Sequence, residues 1–459
     1  MTSPGPTQDL APAAELDLDF RGRAKRILLL AGPIIGAMLS QNIVNLVDTA
    51  MVGQLGSAAL GAVGLSSMSH WLAVAFFNGL GAGVQVITAR RVGEENPRGA
   101  VGALHGALLL ILLVVIPFSV TLATQAPALF GLLTSDPRVA ELGVPYLQIR
   151  LCAGAFVVAN VSYRGYWNGI GRSSIYLRTI IVIHTVNVVL NYLFIYGKFG
   201  FPELGVTGAG IGSAVAVIVG TLLHTVMAWR HSRRHGFFGR GTLTAGLFGN
   251  VIRFSAPTGV QMIFMSGGFV LFYRIAELLG TKQLAVTNVL VNLSLVCILP
   301  AMAFGLAATT LVGRALGARQ PKLAARYGWD TVLLGCAAML LLGGTLAAAP
   351  GVWLGLLMND PAAEALGILS LILLGLTQPI DGVGMVLSQT LIGAGAVRSV
   401  MLASVLLQWV LFLPAVYVFG VHMKGGLLVL WVGMGLYRAL FAVVMVVLFR
   451  RGAWAKIKV

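Results

Sequence analysis

Twelve stretches of about 20 apolar residues, the length that carries a helix across a bilayer, follow one another along the chain. They begin near Ile27, Ala59, Ala100, Leu142, Leu177, Val206, Val251, Leu284, Tyr327, Leu366, Val400 and Leu427, with short polar segments between them. Lipid offers no partner to a bare backbone, so each run must satisfy its own N–H and C=O groups and is expected to be helical. Pro33, Pro117, Pro257, Pro300 and Pro414 fall inside runs and are expected to bend several of them.

The polar positions inside the runs are few and regularly spaced. Gln41, Asn45 and Asp48 stand at i, i+4, i+7 in the first span, on one helical face. His184, Asn187 and Asn191 make a second stripe in the fifth. Gln378, Asp381, Met385 and Ser388 make a third in the tenth, and Gln261, Met265, Phe269 and Phe272 a mixed sulfur and aromatic face in the seventh. A carboxylate at membrane depth costs about 3 kcal/mol or more, so Asp48 and Asp381 call for a partner or a function. Each also has a plain structural alternative. Asp48 could be an ion-paired helix-end residue before Gly53, and Asp381, between Pro379 and Gly382, could cap a helix break. His184 could be an interhelical hydrogen bonder, and His70, His105 and His224 packing groups. Arg150 and Arg438 could pair with an acid across the bundle or snorkel to the interface.

Shifted by 224 positions, the chain matches itself without a gap. Pro33 falls on Pro257, Gly56 on Gly280, Arg90 on Arg314, Pro97 on Pro321, and Asp136-Pro137 on Asp360-Pro361. Each copy holds six spans, an even number, so both insert the same way up, as a parallel repeat with a pseudo-two-fold axis along the membrane normal. The expected fold is therefore an all-α polytopic membrane protein, two six-helix lobes facing a central cleft, with substrate bound near the midplane. The polar residues that break the repeat are the functional candidates: Asp48 aligns with Phe272, Asp381 with Val157, and Asn191 with Ala415.

Composition agrees. Of 459 residues, 58% are hydrophobic and 10% charged, where soluble proteins carry roughly 25% charged residues. The net charge of +16 clusters beside the apolar runs, which points to a membrane surface and not to nucleic acid. Placing the N-terminus in the cytoplasm puts 24 of the 31 Lys and Arg residues on the inner side, so both termini are expected there, in the inner (plasma) membrane. The predicted layout is a cytoplasmic tail over 1–26, lobes over 27–235 and 251–449, a cytoplasmic linker over 236–250, and a basic tail over 450–459. Residues 1–19 carry acids and no base, the reverse of a signal peptide. Cys152, Cys297 and Cys336 lie far apart and form no metal spacing. No nucleophile–base motif or zinc motif is present, which disfavours an integral-membrane enzyme. The run Gly208-Ala209-Gly210-Ile211-Gly212 lies in an apolar helix with no preceding strand, so helix packing explains it better than phosphate binding.

Three motifs carry a family resemblance. They are Val47-Asp48-Thr49-Ala50-Met51-Val52-Gly53, then Leu190-Asn191-Tyr192 on through Tyr196-Gly197-Lys198-Phe199-Gly200-Phe201-Pro202-Glu203-Leu204-Gly205, and Gln378-Pro379-Ile380-Asp381-Gly382. With the duplicated layout they make the chain resemble a multidrug and toxic compound extrusion (MATE) transporter over residues 25–450, the fifth-span motif looking like the NorM branch. The resemblance implies a V-shaped two-lobe fold that exports cationic, often aromatic compounds in exchange for protons or sodium. It also implies roles for Asp48 and Asp381 as the ion-coupling acids. The NorM-like pattern has a seventh-span Glu where this chain has Met265, and the DinF-like branch a fifth-span acid where it has Asn191, so the coupling ion stays open.

The function expected is a secondary active multidrug exporter acting as a monomer on small organic cations, with no cofactor. Its ion sites would be Asp48 and Asp381, either able to hold sodium and no other metal. Its cleft would be lined by Gln41, Asn45, His184, Asn187, Asn191, Gln261, Met265, Gln378 and Met385. Soft sulfur and π faces suit such ligands. A flippase of lipid-linked or anionic substrates is the alternative within transport; it would favour a strongly basic cleft.

Overall fold

The computed structural model describes residues 18–237, 242–358 and 360–459, and among them every regular element is a helix. Among the described residues eleven helices are long and apolar enough to cross a membrane, twelve if the pair Pro137–Cys152 and Gly154–Gly169, bent by 44°, counts as one span. Most of the predicted N-terminal tail lies outside the described residues, but the first helix already begins at Phe20. The basic C-terminal tail is likewise not wholly extended: Ala453–Lys456 forms a short turn of helix, and Trp454 stacks on Phe449 at 4.9 Å.

Helix ends repeat at the offset read from the sequence. Pro97–Thr124 answers to Pro321–Ala348, and the short helices Ala126–Leu133 and Pro350–Leu357 answer to each other. Asp136 and Asp360 both accept hydrogen bonds from the backbone of the helix they open, Asp136 from Arg138 N and Asp360 from Ala362 N, each at 2.9 Å. The prolines that follow fill the first helical position, where no N–H is needed. The Ala362 N–H, helped by Lys282 at 3.2 Å, holds the Asp360 carboxyl below the usual carboxylate range.

The prolines do not all act as bends. Thr281–Gly317 runs unbroken through Pro300, whereas its counterpart is interrupted between Ser57–Ala75 and Gly79–Gly93, where there is no proline. There the ladder tightens to bonds three residues apart, from Gly79 N to Phe76 O and Leu80 N to Phe77 O. Pro117 and Pro414 are absorbed differently. The turns at Ile111–Val115, Leu407–Phe412 and Val416–His422 widen into π-helix, which accommodates a residue with no N–H to give.

The chain divides into two compact units, residues 33–259 and residues 1–32 with 260–459. Both divisions fall inside helices, Phe20–Gly53 and Ala245–Leu278, at or beside Pro33 and Pro257. The expected linker over 236–250 is not where the units part. Residues 238–241 lie outside the described residues, and helix resumes at Ala245, within the same unit.

In the unit of residues 33–259, small residues let backbones touch. A Cβ at Gly79 would fall 2.5 Å from Ser255 O, one at Gly83 would fall 2.1 Å from Ser255 Oγ, and one at Gly259 would fall 2.3 Å from Phe76 O. Gly79/Gly83 and Ser255/Gly259 are thus two small-residue pairs at i, i+4 facing each other, the usual route to close helix contact in lipid. Tyr163, Tyr166 and Trp167 fill the interior; His224 stacks on Tyr163 and accepts from Trp167 Nε1 at 3.1 Å, a packing role. In the other unit the core is aromatic. Phe272 packs on Phe412 and Trp431, and Phe412 stacks on Tyr437 at 4.9 Å. Arg23, from the first turns of the chain, forms an ion pair with Asp330 in this same unit.

Replacing Gly259 by Ala should destabilise the purified protein in detergent by the about 1–3 kcal/mol typical of overpacking, read as a lower thermal midpoint. Gly64→Ala, which meets nothing within 4 Å, should leave it unchanged or slightly raised.

Candidate functional site

The first-span and fifth-span stripes meet. Asn191 Nδ2 donates to Asp48 Oδ1 at 2.8 Å. With both its ends satisfied, the Asn187 amide donates to Asp48 Oδ1 at 2.9 Å and accepts from Ser213 Oγ at 3.0 Å. The half-buried Asp48 carboxylate therefore rests on two neutral amides one helical turn apart, and Ser213 of Gly205–Ser232 braces the second. Farther along, Ser40 Oγ lies 2.7 Å from His184 Nδ1, and Gln41 Oε1 lies 3.2 Å from His184 Nε2. That arrangement suits a neutral imidazole with its proton on Nε2. Gln41 Nε2 donates to Asn45 Oδ1 at 3.0 Å. All six residues expected at this site from the first and fifth spans are thus brought into one polar seam, Gln41 and Asn45 on its exposed side.

The glycine run of the sixth span explains how Asn191 fits. A Cβ at Gly212 would fall 2.2 Å from Asn191 Oδ1, and one at Gly208 would fall 2.4 Å from Phe194 O. The run is a packing device, and Gly212 is the seat of the Asn191 amide. Asn191 Oδ1, buried there, has no hydrogen-bond partner among the described residues. The specific motif after the fifth span builds a turn and not a ligand shell. Gly197, Phe199, Gly200 and Gly205 take positive φ of 62°, 56°, 85° and 53°, and Leu204 N returns to Phe194 O at 2.8 Å. Tyr196 Oη then donates to Met51 O at 2.9 Å, tying this turn to the end of the first span.

In the unit of residues 260–459 the candidates do not form one site. Asp381 is buried on Pro361–Gly393 and forms an ion pair with Arg438 of Gly426–Arg450, Nη1 to Oδ2 at 3.1 Å. Arg438 Nη2 also donates to Ser294 Oγ at 3.0 Å. The helix runs continuously through Pro379, so Asp381 caps no break. Gln378 is fully buried, its Oε1 unpartnered among the described residues. Met385 is half-buried on the same helix. Gln261 bonds instead to Ser404 at 3.0 Å, and Met265 is exposed on the surface of this unit. Phe272 belongs to the aromatic core, so the seventh-span stripe does not hold as one ligand-facing surface. Of the two intramembrane arginines, Arg438 pairs with an acid, while Arg150 Nε is buried with no hydrogen-bond partner among the described residues.

Ser40, Ser213, Ser294 and the role of Gly212 went unread in the sequence. Arg438 had a usable signal: it and Asp381 are opposite charges deep within apolar spans of the same half. Among the described residues no group of three or more His, Cys, Asp or Glu could hold a metal ion.

A duplicated bundle of membrane-crossing helices, with a carboxylate held by amides inside the spans, defines the class: a multi-pass membrane transporter. The MatE family model matches residues 33–193 and again 257–418, the two matches starting 224 residues apart, and the chain belongs to the MATE family. The probable multidrug resistance protein NorM of Thermotoga maritima is 25% identical over 94% of this chain and 93% of its own length. The multidrug resistance protein NorM of Burkholderia vietnamiensis is 29% identical over 91% of each. Among solved structures, a MATE protein in the straight conformation has a TM-score of 0.84 at 22% identity, covering 95% of this chain and 98% of that one. An outward-facing multidrug resistance MATE family transporter has 0.85 at 22%, covering 96% and 98%. At such identities these likenesses establish the fold.

Gly212→Ala should displace the Asn191 amide from Asp48 without altering the acid. Transport by the purified chain in proteoliposomes should fall severalfold, while the protein still inserts and purifies at wild-type yield. Gly32→Ala, which meets nothing within 4 Å, should transport normally.

Proposed function

We propose that the chain is a secondary active exporter of lipophilic or organic cations, which admits protons or sodium ions in exchange through alternating access of its two halves. The observation that carries this reading is the Asp48 carboxylate on its two amides. Neutral donors orient the carboxylate, and Arg150 acts on it only through space, with no ion pair between them, so a proton or a small cation gains there what no neutral ligand would. Coupling requires such a difference, because a ligand that binds two conformations equally shifts nothing. An amide can present nitrogen to a carboxylate or oxygen to a carboxylic acid. The unpartnered Asn191 Oδ1 supplies the second option beside Asp48.

The names of the relatives, multidrug resistance proteins of the NorM type, support a broad range of small substrates. Gln41, Asn45 and His184 extend the seam from Asp48 and are the polar contacts we assign to substrate. On this reading the chain works as a monomer in the plasma membrane, with both termini cytoplasmic. Ion flow supplies the work, so no cofactor and no catalytic residue are assigned.

The test is uptake of tetraphenylphosphonium into proteoliposomes under an imposed proton gradient and, separately, an imposed sodium gradient. One of the two should drive transport by the wild-type chain. Asp48→Asn, present at equal amounts, should reduce it to the level of empty vesicles. Wild-type transport by that variant would remove Asp48 from the mechanism.

A further inference from the structure

The carboxylates of Asp48 and Asp381, each within a span, are satisfied in opposite ways. Asp48 faces amides, and Asp381 faces a guanidinium. The second arrangement is closely specified. Arg438 reaches Asp381 Oδ2 through Nη1 at 3.1 Å, and Nη2 is held by Ser294 Oγ at 3.0 Å. Both side chains are only 9% exposed. The positions are peculiar to this half. The residues 224 places earlier are Val157 for Asp381, Ala214 for Arg438 and His70 for Ser294, so the pair is not part of the duplicated scaffold.

We propose that Arg438 is a built-in counter-cation, which holds at Asp381 the place an exchangeable ion would otherwise take and makes this half of the chain indifferent to sodium. The argument is one of competition. A buried carboxylate needs one positive charge, and a single guanidinium in ion-pair contact at 3.1 Å meets that need. Being tethered, it is present at an effective concentration that dissolved sodium does not match. Arginine does not deprotonate in proteins, so the charge cannot be withdrawn by titration of the partner. Ser294 fixes the fork on the side away from the acid, which keeps the guanidinium from swinging clear. Arg438 is thus the residue that sets ion selectivity in this half. The consequence that ion exchange falls to Asp48 rests on the exporter reading above; the occupancy of Asp381 does not.

The test reads sodium binding and not transport, so it stands whether or not the chain exports cations. Every protein carries Asp48→Asn, which removes sodium held at that acid from the readout. Thermal midpoints of the purified full chain in detergent are compared in sodium chloride and in choline chloride at equal concentration. With Asp381 and Arg438 intact the two midpoints should coincide. Arg438→Gln should unfold earlier in choline and be rescued selectively by sodium, and adding Asp381→Asn should abolish that rescue. A sodium-specific rise in the protein with Arg438 intact, lost on Asp381→Asn, would overturn the proposal. So would an Arg438→Gln protein that folds but shows no sodium preference. If Arg438→Gln cannot be purified in either salt, the comparison with Arg438 intact decides alone.

Discussion

A carboxylate inside a membrane-spanning helix must be compensated locally, and the way it is compensated fixes what it can do. Amides on Asp48 supply hydrogen bonds without charge, and Arg150 acts on it through space without pairing with it, so the carboxylate has no ion-pair partner of its own among the described residues. Asp381 instead has a guanidinium in direct ion-pair contact. An ion pair buried this way contributes little net stability, but removing one partner alone costs about 3–5 kcal/mol, since a naked charge stays behind. On the proposed reading the first site answers to an arriving cation, and the second holds its own. A transporter needs both properties, a responsive group and a framework that stays assembled while it responds.

The duplication separates what belongs to the scaffold from what belongs to one half. Helix ends recur at 224 residues, and so does the register between neighbouring spans. His184 meets Gln41 across 143 residues, and Gln408, its counterpart, meets Met265 across the same interval. Backbone geometry has been kept where the chemistry has not. Phe272 and Ala415 stand where the other half has Asp48 and Asn191, and there the space is filled by aromatic packing. Close helix contact depends on small residues and turn geometry, which tolerate exchange of larger side chains around them.

Much of this was legible from the residues. Lipid forces every span to be helical, so apolar run length alone located the eleven or twelve candidate spans, and the helical period alone placed Gln41, Asn45 and Asp48 on one face. The stripe of His184, Asn187 and Asn191 was legible too, but that its amides hold Asp48 is seen only in the fold. Other features depend on depth and packing, which no period encodes. The pairing of Asp381 with Arg438 joins two spans that are not consecutive. The interruption at Phe76–Asn78 comes where Gly259 packs against Phe76 O, while Pro300, the stronger local signal, leaves its helix whole. Phe272 read as one more position on a stripe, because a stripe does not say which neighbour covers it.

The helices that join the units bear on how a response at Asp48 travels. The chain passes between units within the helices that carry Pro33 and Pro257, and not through the polar segment that precedes Ala245. The helix holding Asp48 therefore begins in one unit, anchored by the Arg23–Asp330 ion pair, and ends in the other, where Asn191 holds Asp48. A helix is stiff along its axis, and a proline within it removes one hydrogen bond and leaves a natural bending point. On the proposed reading, a change in what Asp48 binds occurs on a helix that belongs in part to each unit.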